Sequence, residues 1–176
     1  MAAGGDRPLV FVTVGTDHHP FDRLVGWVDR WLEDGAEATV RCLVQSGTSR
    51  PPRRAEHARY LSYPDMEARM ADALVVISHG GPGNVMMCRW SGKKPIVVPR
   101  RKELGEHVDD HQLAFTRRLG ALGEIELAED ESTLRRVLDE VVGGERSLQL
   151  PPPETEAAAA IGRFERLVDG LLAGRA

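Results

Sequence analysis

Three glycines fall among the four residues Gly80-Gly81-Pro82-Gly83, where a backbone without side chains can approach a ligand closely and offer N–H groups to an anion. Residues 73–77 before them read as a fully buried parallel strand, and residues 82–91 after them read as a helix. His79 and Asn84 flank the glycines, so a strand end and a helix start meet around groups suited to a nucleoside diphosphate. A tight turn uses the same glycines, and that plainer reading stands beside the first. Two further loops carry comparable chemistry. Gly15-Thr16-Asp17-His18-His19-Pro20 follows an apolar run at residues 9–14, and Asp109-Asp110-His111-Gln112 lies in the stretch after a short apolar run at residues 95–98. Ligands of open parallel sheets bind beyond the carboxyl ends of the strands, so these three loops are expected to line one cleft.

The elements that would position them alternate between short apolar runs and helical patterns, the signature of βαβ units. Strands are expected at residues 9–14, 38–44, 58–61, 73–77, 95–98 and 124–127. Helices are expected at 21–32, 64–72, 82–91, 107–119 and 131–142, with Pro20 and Pro82 well placed to start two of them and Gly92 to end one. The expected fold is α/β: a Rossmann-like open parallel sheet with helices on both faces. Residues 1–7 read as a flexible N-terminus and 8–149 as the domain. Residues 150–176 read as a proline linker and an amphipathic helix over 154–172, whose apolar stripe suits a partner and the chain's own sheet equally.

With 176 residues, 41% hydrophobic and 28% charged, the composition is that of one globular domain. A net charge of -4 excludes a general nucleic-acid binder. Cys42 and Cys88 show no metal-ligand spacing and read as buried free thiols of a reducing compartment. No stretch has the roughly 20 apolar residues of a membrane span, so a cytoplasmic chain without a transmembrane segment of its own is expected.

In order and spacing, four segments make the chain resemble the glycosyltransferase family 28 C-terminal domain. They are Val10-Phe11-Val12-Thr13-Val14-Gly15-Thr16, His79-Gly80-Gly81-Pro82-Gly83, Gly92-Lys93-Lys94-Pro95-Ile96-Val97-Val98-Pro99 and Asp109-Asp110-His111-Gln112. The chain is similar in particular to stand-alone donor-binding subunits of two-subunit transferases, of the dolichol-linked N-acetylglucosamine and bacterial exopolysaccharide types. The resemblance implies half of a GT-B enzyme, binding a nucleotide sugar such as a UDP-sugar. It implies an inverting glycosyl transfer completed by a membrane-associated acceptor-binding subunit, at the membrane periphery, or by a homodimer. No cofactor is implied, and no metal, since no Asp-x-Asp pair stands in a suitable loop.

Carried over by residue, the resemblance puts Gly15 and Thr16 near the diphosphate and gives the N–H groups of Gly80, Gly81 and Gly83 to phosphate oxygens, with Asn84 as a further donor and His79 as a neighbour of the phosphates. Asp109, Asp110, His111 and Gln112 match the family's Asp-Asn-His-Gln stretch at the sugar and phosphate end, with Asp110 in place of Asn. Asp109 also suits a helix cap. Related transferases often carry an acidic ribose ligand six positions after the second glycine; here that position is Met87, which accepts no such hydrogen bonds. Histidine is the side chain most suited to general base work near neutral pH, which makes His18 and His19 candidates for deprotonating an acceptor, although a loop histidine beside Asp17 also serves to stabilise its turn and the resemblance implies a base in the acceptor half. Two other readings remain open: a self-sufficient nucleotide-sugar enzyme, and a binding module without catalysis.

Overall fold

The computed structural model describes residues 7–151. The expected helix over 154–172, most of the proline linker and most of the N-terminal stretch lie outside the described residues.

Short, nearly continuous apolar runs at the centre and more polar strands at the edges build a six-stranded, wholly parallel sheet in the order β3-β2-β1-β4-β5-β6. The strands are β1 (Leu9–Thr13), β2 (Arg41–Gln45), β3 (Glu56–Ala58), β4 (Val75–His79), β5 (Ile96–Val98) and β6 (Glu126–Leu127). Five helices connect and close them: α1 (Asp22–Glu33), α2 (Tyr63–Asp72), α3 (Pro82–Trp90), α4 (His111–Ala121) and α5 (Glu131–Val142).

Because strand side chains point alternately to the two faces, β1 divides its burial between two cores. Val10 and Val12 join Leu24, Val28 and Leu32 of α1 and Leu134 and Leu138 of α5. Leu9 and Phe11 join Met66 and Met70 of α2 and Cys88 of α3. A smaller cluster packs Val85, Val97 and Ile125 beside Leu119 of α4. Both cysteines are buried and free, as expected.

Several boundaries differ from expectation. The strand expected at 58–61 lies at Glu56–Ala58, where polar Glu56 and His57 pair with Leu43 and Val44 at the sheet edge. Edge pairing is carried by the backbone, so apolarity misplaced this strand. Ser62 then caps α2 by accepting from the Asp65 N–H at 3.2 Å. The second strand starts later than expected because Ala36–Ala38 form a 3₁₀ turn. The helix expected from residue 107 starts at His111. Its first four expected residues are a loop in which the Asp109 carboxylate accepts from the His111 N–H at 3.0 Å. No helix among the described residues is long and apolar enough to cross a membrane.

The sheet order reverses direction between β1 and β4, whose register sets Thr13 beside Ser78. Crossovers on either side of such a switch point leave a crevice at the carboxyl ends of the two strands.

Candidate functional site

A cleft of about 550 Å³ occupies that crevice, within the size range of small-ligand sites. Its floor is polar because buried strands end in polar residues. Thr13 closes β1 and Gln45 closes β2, both buried. The Thr13 hydroxyl donates to Gln45 Oε1 at 2.6 Å and accepts from Asn84 Nδ2 and the Gly15 N–H, each at 3.3 Å. Gln45 Nε2 in turn donates to the Gly15 and Arg59 carbonyls at 3.1 Å. The network therefore ties the first β–α turn, β2 and the start of α3 into one rigid floor.

His79 ends β4 with its ring between Gly15 and Gly81. A Cβ at either glycine would overlap that ring, and Gly15 has φ +83° besides, so both positions need glycine. Burial pushes the His79 pKa down to about 4, with help from the nearby Arg100 guanidinium, while hydrogen bonding to Gln112 works the other way. A neutral ring follows. Its Nδ1 accepts the Gly81 N–H at 3.0 Å, which assigns the proton to Nε2.

The neighbouring Gly80 N–H donates to Gln112 Oε1 at 3.1 Å, and a Cβ on Gly80 would press into Thr116 and Gln112 of α4. Thus two of the three N–H groups expected to face an anion already have protein partners. The donors left are those of Gly83 and Asn84, which have no partner among the described residues. They belong to the first turn of α3, where N–H groups lack intrahelical acceptors. α2 and α5 are capped by Ser62 and Asp130 side chains, but α3 begins at Gly81 and Pro82 without a side-chain cap or an acidic residue in its first turn. The positive end of the helix dipole therefore opens on the cleft.

Of the residues singled out from sequence, Gly15, Thr16, His79, Gly81, Gly83, Asn84 and Gln112 line the cleft. Gly80 sits just behind, as the contact between the loop and α4. His18, His19, Asp109, Asp110 and His111 do not line it. The Asp110 carboxylate accepts from the Lys102 N–H at 3.1 Å, and the His111 side chain is 90% exposed. His19 Nδ1 lies 2.7 Å from Asp17 Oδ1, on the rim.

Sequence reasoning singled out neither Thr13 nor Gln45, although the polar residue closing each buried strand was a usable signal; Asp17 lies in the loop expected to line the cleft and does so. Sequence reasoning also passed over Leu61, Tyr63 and Met66, which with Met87 form an apolar wall. Met87, standing where an acidic ribose ligand was anticipated, faces the cleft from that wall. Among the described residues, Asp17 is the only carboxylate lining the cleft. Its own burial would raise its pKa, but the N–H and ring of His19, followed by the Arg100 charge, outweigh this and hold it at about 2.

A clasp beneath the rim sets the spacing of the loops. Arg100 is fully buried, and its guanidinium donates to the carbonyls of Val14, His19 and Glu106 at 2.7, 2.7 and 2.8 Å. The Glu106 carboxylate is held by both arms of Arg23 at 2.8 and 2.7 Å and accepts from the Arg101 N–H at 2.9 Å. The loops after β1 and β5 are thereby locked together, which fixes where Gln112 reaches the glycine loop.

The glycosyltransferase family 28 C-terminal domain matches residues 9–167, most of the chain. The chain belongs to this family. Solved structures with a similar fold include the kitacinnamycin glycotransferase, with a TM-score of 0.56 and 18% identity over 81% of this chain and 36% of that one. The calicheamicin glycosyltransferase CalG4 gives 0.51 and 14% over 78% and 34%. MurG of Acinetobacter baumannii gives 0.53 and 15% over 78% and 42%. At such identities the likeness is one of fold, a Rossmann-like half of the GT-B type. This chain covers only 34–42% of the length of these three chains. No curated protein matches the sequence significantly.

Proposed function

We propose that this family 28 domain is the donor-binding part of an inverting glycosyltransferase and binds a nucleotide sugar, a UDP-sugar in the first instance, in the crevice between β1 and β4. The observation that carries the reading is the uncapped start of α3, whose unpartnered Gly83 and Asn84 N–H groups open on the cleft. A diphosphate seated there meets the helix dipole and both donors. Donors preorganised in this way also stabilise the charge that develops on a departing nucleoside diphosphate, an effect worth several kcal/mol in comparable sites. The Leu61, Tyr63, Met66 and Met87 wall offers the nucleobase an apolar face. With Met87 there, no carboxylate grips the ribose from that side.

An inverting transfer also needs an acceptor and a surface to hold it. We assign that role to a separate acceptor-binding partner associated with the membrane, with a second copy of the chain as the alternative.

Titration of the protein with UDP, UDP-N-acetylglucosamine and UDP-glucose by calorimetry tests the donor site. One saturable site shared by UDP and at least one UDP-sugar is expected. Gly83→Leu is the matching variant, since a Cβ at Gly83 meets no atom within 4 Å and the added bulk enters the cleft without disturbing the fold. It should retain the parent melting temperature and lose nucleotide binding. Unchanged nucleotide affinity in that variant would contradict the reading.

A further inference from the structure

At the rim of the cleft, Asp17 of the lining meets two histidines that do not line it, and together they concentrate metal-binding side chains. One carboxylate oxygen of Asp17 and one ring nitrogen each of His18 and His19 lie within 4.8 Å of one another. His19 Nδ1 is 2.7 Å and His18 Nδ1 3.6 Å from Asp17 Oδ1. Metal–ligand bonds of 2.0–2.2 Å in a tetrahedron separate neighbouring ligand atoms by about 3.4 Å. The two separations from Asp17 Oδ1 bracket that value, and the third pair of ligand atoms lies within 4.8 Å.

The surroundings hold these groups in place. The His19 N–H donates to Asp17 Oδ1 at 2.8 Å, fixing the carboxylate, and Pro20 follows immediately to stiffen the turn. From the loop before α4, His107 faces the same carboxylate, its Nε2 3.8 Å from Asp17 Oδ2. Its other nitrogen stands 3.2 Å from Asp109 Oδ1. A carboxylate behind the far nitrogen of an imidazole is the arrangement that orients histidine ligands in metal sites.

We propose that Asp17, His18 and His19 form a binding site for a divalent transition-metal ion, with His107 closing the coordination from the opposite loop. Imidazole nitrogens with a single carboxylate suit zinc, cobalt or nickel; magnesium and calcium favour all-oxygen ligand sets. The ion would clasp the loops after β1 and β5 from the solvent side, as Arg100 clasps them from within.

The test uses the full chain, free of any histidine tag, titrated with zinc chloride by calorimetry and with cobalt chloride by visible absorption. One ion per chain and the intense bands of four-coordinate cobalt are expected, together with a zinc-dependent rise in melting temperature. His18→Ala, His19→Ala and His107→Ala should each weaken binding at least tenfold. The His18 side chain is 82% exposed, so its removal cannot unfold the domain. Absence of stoichiometric zinc binding by the parent protein, or His18→Ala and His19→Ala affinities within twofold of it, would overturn the proposal.

Discussion

His79 couples the glycine loop to the rest of the cleft, and its burial has a thermodynamic signature. The unfolded chain takes up a proton at this residue as pH falls through 6.5, whereas the folded protein does so only near 4. Stability is therefore complete above about 6.5 and is lost progressively as pH falls toward 4, since the unfolded state binds more protons throughout that window. Urea unfolding of His79→Gln between pH 7 and 4.5 should show a smaller loss than the parent. Parallel losses would contradict a buried neutral ring.

The residue scale also shows what was legible. The glycine loop, Asn84 and Gln112 announced themselves by type and spacing, because close backbone approach admits few alternatives. Asp109, Asp110 and His111 carried equally suggestive chemistry, yet the loop turns their side chains toward one another, the Lys102 N–H and solvent. Orientation in a loop is set by local hydrogen bonds that residue type does not encode. Gln112, one residue into α4, is rigidly placed. Its Oε1 accepts from the N–H groups of Gly80 at 3.1 Å and of Arg100 at 3.4 Å. Gln112→Leu should release the glycine loop and weaken UDP binding severalfold by calorimetry with little change in fold; unchanged affinity would remove Gln112 from the site.

Among the elements, the strands that place the cleft were readable because β1 and β4 are buried on both faces and nearly continuous in apolar character. Strand β3 and the start of α4 were not, since backbone pairing at an edge and an Asp-centred turn decide them. Least readable was the Arg100 clasp. The basic run Arg100-Arg101-Lys102 after a strand reads as surface charge, and only the fold brings the Val14, His19 and Glu106 carbonyls around Arg100. Arg100→Met leaves these three acceptors without their donor. At about 1–3 kcal/mol for each buried unsatisfied group, the loss should reach about 3 kcal/mol or more. Chemical denaturation measures it directly, and a loss below about 1 kcal/mol would show that the loops hold one another without Arg100.

For the whole molecule, the sheet and its three apolar clusters are assembled from residues 9 to 148. Among the described residues Leu148 is the last of the buried core, and the Leu150 N–H donates to the Gly92 carbonyl at 2.8 Å. A chain ending at Pro151 should therefore unfold cooperatively and bind UDP like the full-length protein. Insolubility of that truncation, or loss of its nucleotide binding, would assign residues 152–176 a part in the fold or the site.

The central claim is that a nucleoside diphosphate docks on the start of α3. It is tested most directly by amide NMR of ¹⁵N-labelled protein titrated with UDP. The Gly83 and Asn84 resonances should move furthest and saturate together with the ³¹P shift of the ligand. Saturation that leaves both amides unmoved, while shifts gather at another loop, would contradict it.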